Sequence, residues 1–160
     1  MKAIAAISSN RAIGKNGALP WPSIKEDFKW FKEFTTNNIL VMGNTTFTSL
    51  PPLKNRNIVT LTSNPMLYSS GYDPALNMGH CYRNSLEIVK LDSEKKGALI
   101  VAGGAKTYLT LLPFITEFYI THVNGEFEGD TFMPPIEHMF NKSETVREFE
   151  NGHKVVKYYN

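Results

Sequence analysis

Cysteine is the scarcest reactive side chain here. Cys81 stands alone among 160 residues, which excludes an internal disulfide and, with it, the small secreted scaffolds that depend on such bonds. It reads as a small buried side chain. Long apolar runs are missing too. Met1 to Ile7 is apolar but gives way at once to Ser8-Ser9-Asn10-Arg11, without the apolar core of a secretory signal. No run approaches the roughly 20 residues that span a bilayer. A cytoplasmic protein with no membrane partner is the expectation. Charge of one sign is also scarce: the net charge is +2 and no five basic residues adjoin, so no nucleic-acid partner is expected. His80, His122, His138 and His153 are dispersed without zinc spacing, so no metal site is expected. Neither a G-x-S-x-G nucleophile elbow nor a Walker A loop occurs, which removes the serine hydrolase and P-loop nucleotidase readings.

What remains is ordinary globular composition, with 42% hydrophobic and 20% charged residues and a length suited to one domain over 1–160. Short runs rich in Ile, Val and Ala recur at Ala3 to Ile7, Ile39 to Met42, Ile58 to Leu61 and Leu99 to Ala102. Being apolar on both faces, they read as buried parallel strands joined by helical crossovers, an α/β fold. Lys25 to Thr35 spaces Phe28, Phe31 and Phe34 as a helix does, with Ser23 as N-cap and Glu26 as its box partner. Further helices are expected at Asn44 to Leu50, Asn84 to Leu91 and Lys106 to Leu112, and a strand at Tyr119 to Val123. Thr145 to Glu150 and His153 to Tyr159 flank Asn151-Gly152, the signal for a two-residue type I′ hairpin.

Four features carry possible chemistry, each with a plainer alternative. The Ile13 to Pro22 loop holds two glycines and two prolines yet three large apolar side chains. It is either a lid over the strand ends or a segment whose Leu19 and Trp21 plug the core edge. Asp27 shares a helix face with Trp30 and Phe31; burial there would raise its pKa and fit it for proton transfer, whereas a solvated first-turn aspartate would merely answer the helix dipole. Leu99 to Lys106 is a strand, a Gly103-Gly104 turn and a helix start, which is either a diphosphate site or a tight turn. Arg56 precedes a strand and is either a carboxylate clamp or an exposed arginine.

Taken in order, these segments resemble the dihydrofolate reductase family: the Ile13 to Trp21 loop, Asp27 with Trp30-Phe31, Met42-Gly43, Arg56, Gly103-Gly104, Tyr119 to His122 and Gly129-Asp130-Thr131. The resemblance implies a central eight-stranded, mostly parallel sheet with four flanking helices and an antiparallel last strand. It implies NADPH-dependent reduction of dihydrofolate to tetrahydrofolate, supplying one-carbon metabolism and thymidylate synthesis, by a monomer that antifolate inhibitors would bind. Asp27, with Trp21 and Thr121, would be catalytic. Ile4, Ala6, Phe28, Phe31, Leu50 and Leu53 would wall the pterin, and Arg56 would take the α-carboxylate of the glutamate tail. Ala6, Ile13 and Ala18 would line the nicotinamide site, Gly103, Gly104 and Ala105 would approach the diphosphate, and Thr45 and Thr46 begin a helix that could bind phosphate similarly. Thr62, Ser63, Arg83 and Lys106 would be partners for the 2′-phosphate, with Gly17, Gly43, Asn44, Leu61, Ala102, Thr107, Tyr108 and Thr131 also among the cofactor-binding residues. Asp130 would hold the lid when it closes.

Four positions depart from the family's common bacterial pattern. Asn44 and Thr45 stand where Arg and His are frequent, Ala105 where a third glycine is usual, and Leu19 at a lid position often filled by Met. Losing that arginine removes a partner for the 2′-phosphate that separates NADPH from NADH. Two other functions fit a fold of this kind: a reductase of the riboflavin pathway, and a noncatalytic nucleotide-binding module.

Overall fold

The structure is a computed structural model that describes residues 1–51, 53–65, 71–73 and 78–160; at 71–73 and 78–80 only the backbone is considered. Eleven strands and four α-helices follow one another along the described chain. They are β1 Lys2–Ser8, β2 Ala12–Gly14, α1 Lys25–Thr35, β3 Ile39–Gly43, α2 Asn44–Ser49, β4 Asn57–Leu61, β5 Gly71–Asp73 and β6 Met78–Arg83. After these come α3 Ser85–Lys95, β7 Leu99–Val101, α4 Ala105–Leu111, β8 Glu117–Val123, β9 Thr131–Phe132, β10 Lys142–Glu148 and β11 Lys154–Tyr159.

The main sheet runs β10-β11-β8-β1-β7-β3-β4-β6-β5, and β2 pairs with β9 apart from it. Five ladders, from β8 across to β6, are parallel. The last strand β11 runs antiparallel to β8 and β10. The expected eight-stranded sheet is therefore present, with three-residue β5 added antiparallel at its edge. Alternation along the buried strands divides the core in two. Leu40, Met42, Ile58 and Ile100 pack toward Trp30 of α1, while Val41, Val59, Leu99 and Val101 pack with Ile88 of α3 and Leu111 of α4. A sheet covered on both faces gives three layers, which explains the continuous apolar runs.

Where the sheet splits decides where a ligand can enter. β1 pairs with β7 only at Lys2 and Ala3, yet continues beside β8 for all seven of its residues. Beyond Ala3 the two neighbours diverge, and the chain crosses from β7 through α4 to β8 on the far side of β1. This is a topological switch point, the position at which open α/β sheets leave a crevice at the strand C-terminal ends. The Tyr108 hydroxyl donates to the Ile4 carbonyl at 2.6 Å across the gap, satisfying one backbone group that β7 no longer reaches.

Two local expectations are corrected. Ser23 does not cap α1: the N-cap is Ile24, without a side-chain cap bond. Ile24 is buried against Trp21 and Val123, so packing of an apolar anchor fixes the entry of the helix. The β10–β11 hairpin does not turn at two residues. Phe149 N donates to His153 O and Gly152 N to Phe149 O, and only Gly152 of the connecting residues has positive φ, +84°. That is a three-residue loop closed by a left-handed glycine. The type I′ turn falls instead on Asn16-Gly17, where φ is +52° and +77° and Lys15 and Ala18 exchange backbone hydrogen bonds.

α3 has the fullest cap: Asn84 Oδ1 accepts from Glu87 N at 2.9 Å and Glu87 Oε1 accepts from Asn84 N at 3.2 Å. Replacing Asn84→Ala removes the side-chain acceptor for Glu87 N and leaves the bond from the backbone of residue 84 to Glu87 Oε1. Urea unfolding is expected to show a loss of about 1 kcal/mol with an unchanged slope.

Candidate active site

The first turn of α1 brings Asp27 against the middle of β8. The Thr121 hydroxyl, itself buried, donates to Asp27 Oδ1 at 2.6 Å. Burial pushes the Asp27 carboxyl above its ordinary pKa, against the opposing pulls of the Thr121 hydrogen bond and the charge of His153. Desolvation dominates because a carboxylate loses more hydration than one hydroxyl donor restores. The solvated first-turn reading is thereby displaced. Oδ1 is occupied by Thr121, which leaves Oδ2 as the oxygen open to a ligand or a proton.

Around this carboxyl the predicted apolar residues gather unevenly. Ile4 belongs to the buried cluster of Trp30, Leu40 and Met42, with Phe31, Leu53 and Ala102 packed against it. Ala6 packs with Trp21, Ile24 and Val123. Phe28 is 52% exposed and Leu50 37% exposed, so two large apolar side chains stand open to solvent at the same end of the sheet. Trp21 is 6% exposed while Leu19 is 41% exposed. The loop therefore divides: Trp21 plugs the core edge and Leu19 does not. The indole Nε1 of Trp21 is buried without a hydrogen-bond partner, a loss of about 1–3 kcal/mol that a bound acceptor would recover.

Arg56 is not the exposed residue that was its plainer alternative, for it is 7% exposed. Its Nε donates to Lys54 O at 2.9 Å and Nη1 to Thr35 Oγ1 at 3.2 Å. No carboxylate pairs with it among the described residues, and burial lowers its pKa. Two neutral acceptors orient the guanidinium, and among the described residues no carboxylate compensates its charge.

On the other side of the crevice, Gly43 N donates to Gly103 O at 2.9 Å, which draws the ends of β3 and β7 together. Gly103 has φ +113° and is joined to Gly104 by a cis peptide bond. A Cβ on Gly43 would meet Thr107 Oγ1 at 3.0 Å, and one on Gly103 or Gly104 would meet Thr46 and Tyr108 side-chain atoms at 3.5–3.8 Å. Backbone free of side chains thus faces the starts of α2 and α4, with Thr46 between them and Ala105 opening α4. Asn44 and Thr45 are exposed, with Asn44 Oδ1 accepting from the Tyr82 hydroxyl at 3.4 Å.

Leu61, Thr62 and Ser63 lie at the end of β4 beside Arg83, since Thr62 N donates to Arg83 O at 2.9 Å. Arg83 also approaches Glu87 at 3.6 Å. Lys106 stands exposed in the first turn of α4, on a different element from that group. The lid runs from Ile13, packed against the main core, through the exposed Gly17 and Ala18. A Cβ on Gly17 would lie 3.9 Å from Ser49 Cβ, so the lid tip reaches α2. Its root is pinned from the β8–β9 connection. Asp130 Oδ2 accepts from Asn16 N at 2.7 Å and Oδ1 from the Thr131 hydroxyl at 3.0 Å, while Asp130 N donates to Gly14 O at 2.9 Å.

A half-buried helix-borne carboxyl, an apolar loop and side-chain-free glycine backbone thus stand near one end of the sheet. Comparison with known proteins agrees with that arrangement. The family described as dihydrofolate reductase matches residues 1–159. The chain belongs to the dihydrofolate reductase family. It is 34% identical to dihydrofolate reductase of Bacillus subtilis over 132 residues, covering 82% of this chain and 73% of that protein. It is 34% identical to the Mus musculus enzyme over 157 residues, covering 86% and 80%. A dihydrofolate reductase from Enterococcus faecalis, solved with NADP(H) and RAB-propyl, superposes with a TM-score of 0.78 at 32% identity, covering 99% of this chain and 94% of that one.

Within this family framework, one neighbour of Asp27 escaped the sequence reading. His153 had been weighed only as a metal ligand, yet its charge acts on Asp27. The signal was present in the strand register, because His153 lies two residues before Val155, the partner of Thr121.

The hydrogen bond from Asn16 N lowers the pKa of Asp130, with Thr131 adding to it. That bond therefore holds through the ordinary carboxylate range and is lost only as the pH falls below it. An Asp130→Ala variant is expected to exchange the Asn16 amide proton at least tenfold faster near pH 7, while the amides of β1 keep their protection, as followed by hydrogen-exchange NMR.

Proposed function

We infer that this protein reduces 7,8-dihydrofolate to 5,6,7,8-tetrahydrofolate with NADPH, and so supplies one-carbon metabolism and thymidylate synthesis. The observation that carries the reading is the desolvated Asp27 carboxyl held by Thr121 beside the crevice between β1 and β7, in a chain of the dihydrofolate reductase family. Family membership selects against the riboflavin-pathway reductase and the noncatalytic module.

The residues fit both ligands. Gly43, Gly103 and Gly104 offer backbone bare of side chains beside the starts of α2 and α4, which a diphosphate could approach. Ala6, Ile13, Ala18 and Thr131 would border the nicotinamide, and Thr45, Ala102 and Ala105 the path of the phosphates. When bound, NADPH supplies the hydride for the pterin. Ile4, Phe31 and Leu53 form the inner wall, and the exposed rings and branches of Phe28 and Leu50 gain a partner when a pterin and its tail cover them. The uncompensated guanidinium of Arg56 attracts the α-carboxylate of the glutamate tail, for which a planar fork is suited.

As a carboxylate, Asp27 would accept the N–H edge of the pterin at Oδ2; in its protonated form it would supply from that oxygen the proton that the reduction consumes. Desolvation favours the proton-bearing form of this carboxyl, raising its pKa from the ordinary value. Trp21 closes the site from water and offers its unpaired N–H to a bound acceptor. Asp130 holds the lid root closed while the rings are aligned. Antifolates with a cationic edge would pair with the same carboxyl. The protein is further proposed to work as a cytoplasmic monomer, one domain over 1–160; the free thiol of Cys81 suits a reducing compartment.

For the 2′-phosphate, Thr62, Ser63 and Arg83 replace the missing arginine at Asn44. An Arg83→Ala variant is expected to raise KM for NADPH roughly tenfold and leave KM for NADH within about twofold, as read from initial rates of cofactor oxidation with saturating dihydrofolate. Equal effects on the two cofactors would assign the phosphate to other residues.

Asp27→Asn is expected to lower hydride transfer at pH 7 about a hundredfold or more, measured in a single turnover. It should also stabilise the fold. The folded pKa of Asp27 is raised, so its cost to stability is absent below the unfolded value and grows as pH rises through the folded one. Each unit of that rise is worth about 1.4 kcal/mol. The variant should thus melt higher than the parent at pH 7, and the gap should close in acid.

A further inference from the structure

We propose that Asn10 is a positioning residue for Trp21, acting through Phe127, so that the β1–β2 turn sets the indole that closes the site. The inference rests on the role given to Trp21 above and names the side chain that holds it in place. Asn10 lies between β1 and β2, and both ends of its amide engage one residue of the β8–β9 connection. Its Nδ2 donates to Phe127 O at 2.8 Å, and its Oδ1 accepts from Phe127 N at 3.1 Å. The Ser8 hydroxyl also donates to Asn10 Oδ1, while Ser8 Oγ accepts from Ala12 N at 3.0 Å. Two donors on the oxygen and a carbonyl on the nitrogen permit only one orientation of the amide.

The clamp matters because Phe127 belongs to no strand. Its backbone N–H and C=O have no ladder to join, and one side chain supplies a partner to each. Ser9 repeats the device two residues earlier on the same connection: Ser9 N donates to Gly125 O at 2.9 Å, and Gly125 N donates to Ser9 Oγ at 3.2 Å. Gly125 has φ +111°, and a Cβ there would meet Phe127 Cε2 at 3.2 Å. The turn therefore fixes the backbone of the connection, and Gly125 leaves room for the Phe127 ring.

That ring meets Trp21. The two stand edge to face, with centroids 6.0 Å apart and planes at 65°, and Phe127 packs with Ala6 against the buried cluster of Trp21, Ile24 and Val123. Ala6 and Val123 belong to β1 and β8 and are placed by the sheet. Trp21 sits outside every helix and strand, and its buried Nε1 finds no hydrogen-bond partner among the described residues. Packing must then orient the indole, and the ring of Phe127 supplies one wall of it. Ile24 of the same cluster accepts at its carbonyl from Asp27 N at 3.1 Å and Phe28 N at 3.2 Å, so the first turn of α1 rests there too. A shift of about 1 Å in such a wall is enough to slow a reaction between aligned rings by roughly a hundredfold.

The test is a double-variant cycle on Asn10→Ala and Phe127→Leu, read by single-turnover hydride transfer from NADPH to dihydrofolate with both ligands saturating. Leu keeps the cluster filled but removes the ring edge that meets the indole. Each single variant should slow hydride transfer about tenfold and leave KM for both ligands within about twofold. The double variant should be no slower than the slower single one, because Asn10 acts through Phe127. Rate losses that multiply, a parental rate in Asn10→Ala, or an effect confined to KM would each overturn the proposal. Asn10→Asp loses the donor to Phe127 O but keeps the acceptor of Phe127 N, and it takes the place of Asn10→Ala in the cycle should the latter unfold. A second arm needs no turnover. The ¹H–¹⁵N resonance of the Trp21 indole in the ligand-free protein, assigned with Trp21→Phe, should shift in Asn10→Ala and shift no further when that change is added to Phe127→Leu. An indole resonance unmoved by Asn10→Ala would overturn the proposal even if hydride transfer proceeds as inferred. A resonance that responds as expected without any hydride transfer would support the positioning of Trp21 and count against the reductase reading alone.

Discussion

Everything at the site hangs on one short hydrogen bond between two elements far apart in sequence, from the Thr121 hydroxyl on β8 to Asp27 Oδ1 at the start of α1. A carboxyl taken out of water needs a donor, and a single neutral donor leaves it desolvated enough to favour a proton. The surrounding fold supplies that balance. β1 holds β8 in register along its whole length, α1 is anchored by Ile24 and Trp30 rather than by a capping side chain, and β11 closes the far side of β8. Were β8 to slip by one residue, Thr121 would face away from α1 and Asp27 would be left buried without a partner.

The same crossing that buries Asp27 opens the crevice. Because the chain passes from β7 to β8 across β1, the β1–β7 ladder ends after two residue pairs and the glycine turn at Gly103-Gly104 faces the free edge of β1. Tyr108 bridges that edge through Ile4. The lid grows from the end of β1, so its root and the crevice share one strand. Asp130 then fixes the root through Asn16 while the tip at Gly17 reaches α2.

Much of this was legible in the sequence because it rests on local pattern. The apolar runs of β1, β3, β4 and β7, the aromatic spacing of α1 and the polar residue among aromatics at Asp27 all announce themselves within a dozen residues. What escaped depends on pairing across the chain. β6, Met78–Arg83, has no apolar alternation, and the β2–β9 ladder joins segments over a hundred residues apart. α3 continues past Leu91 through a polar stretch until Lys96 and Gly97 turn left-handed. The two Asn-Gly pairs show the limit well: the dipeptide permits a type I′ turn, yet the flanking strands allow it at Asn16 and enforce a three-residue loop at Asn151. Arg56 reads from sequence more readily as a surface residue than as a clamp, and only its burial in the folded chain removes the surface reading.

The central claim is that burial raises the pKa of the Asp27 carboxyl above that of an exposed aspartate, and a titration of its side-chain carbon addresses this directly. With ¹³C-aspartate labelling and Asp27→Asn to assign the signal, the Asp27 Cγ resonance of the free protein should titrate with a midpoint clearly above the ordinary 3.8. A midpoint at or below that value would mean that Thr121 and His153 outweigh desolvation, and that Asp27 serves as a fixed anion instead of a proton carrier.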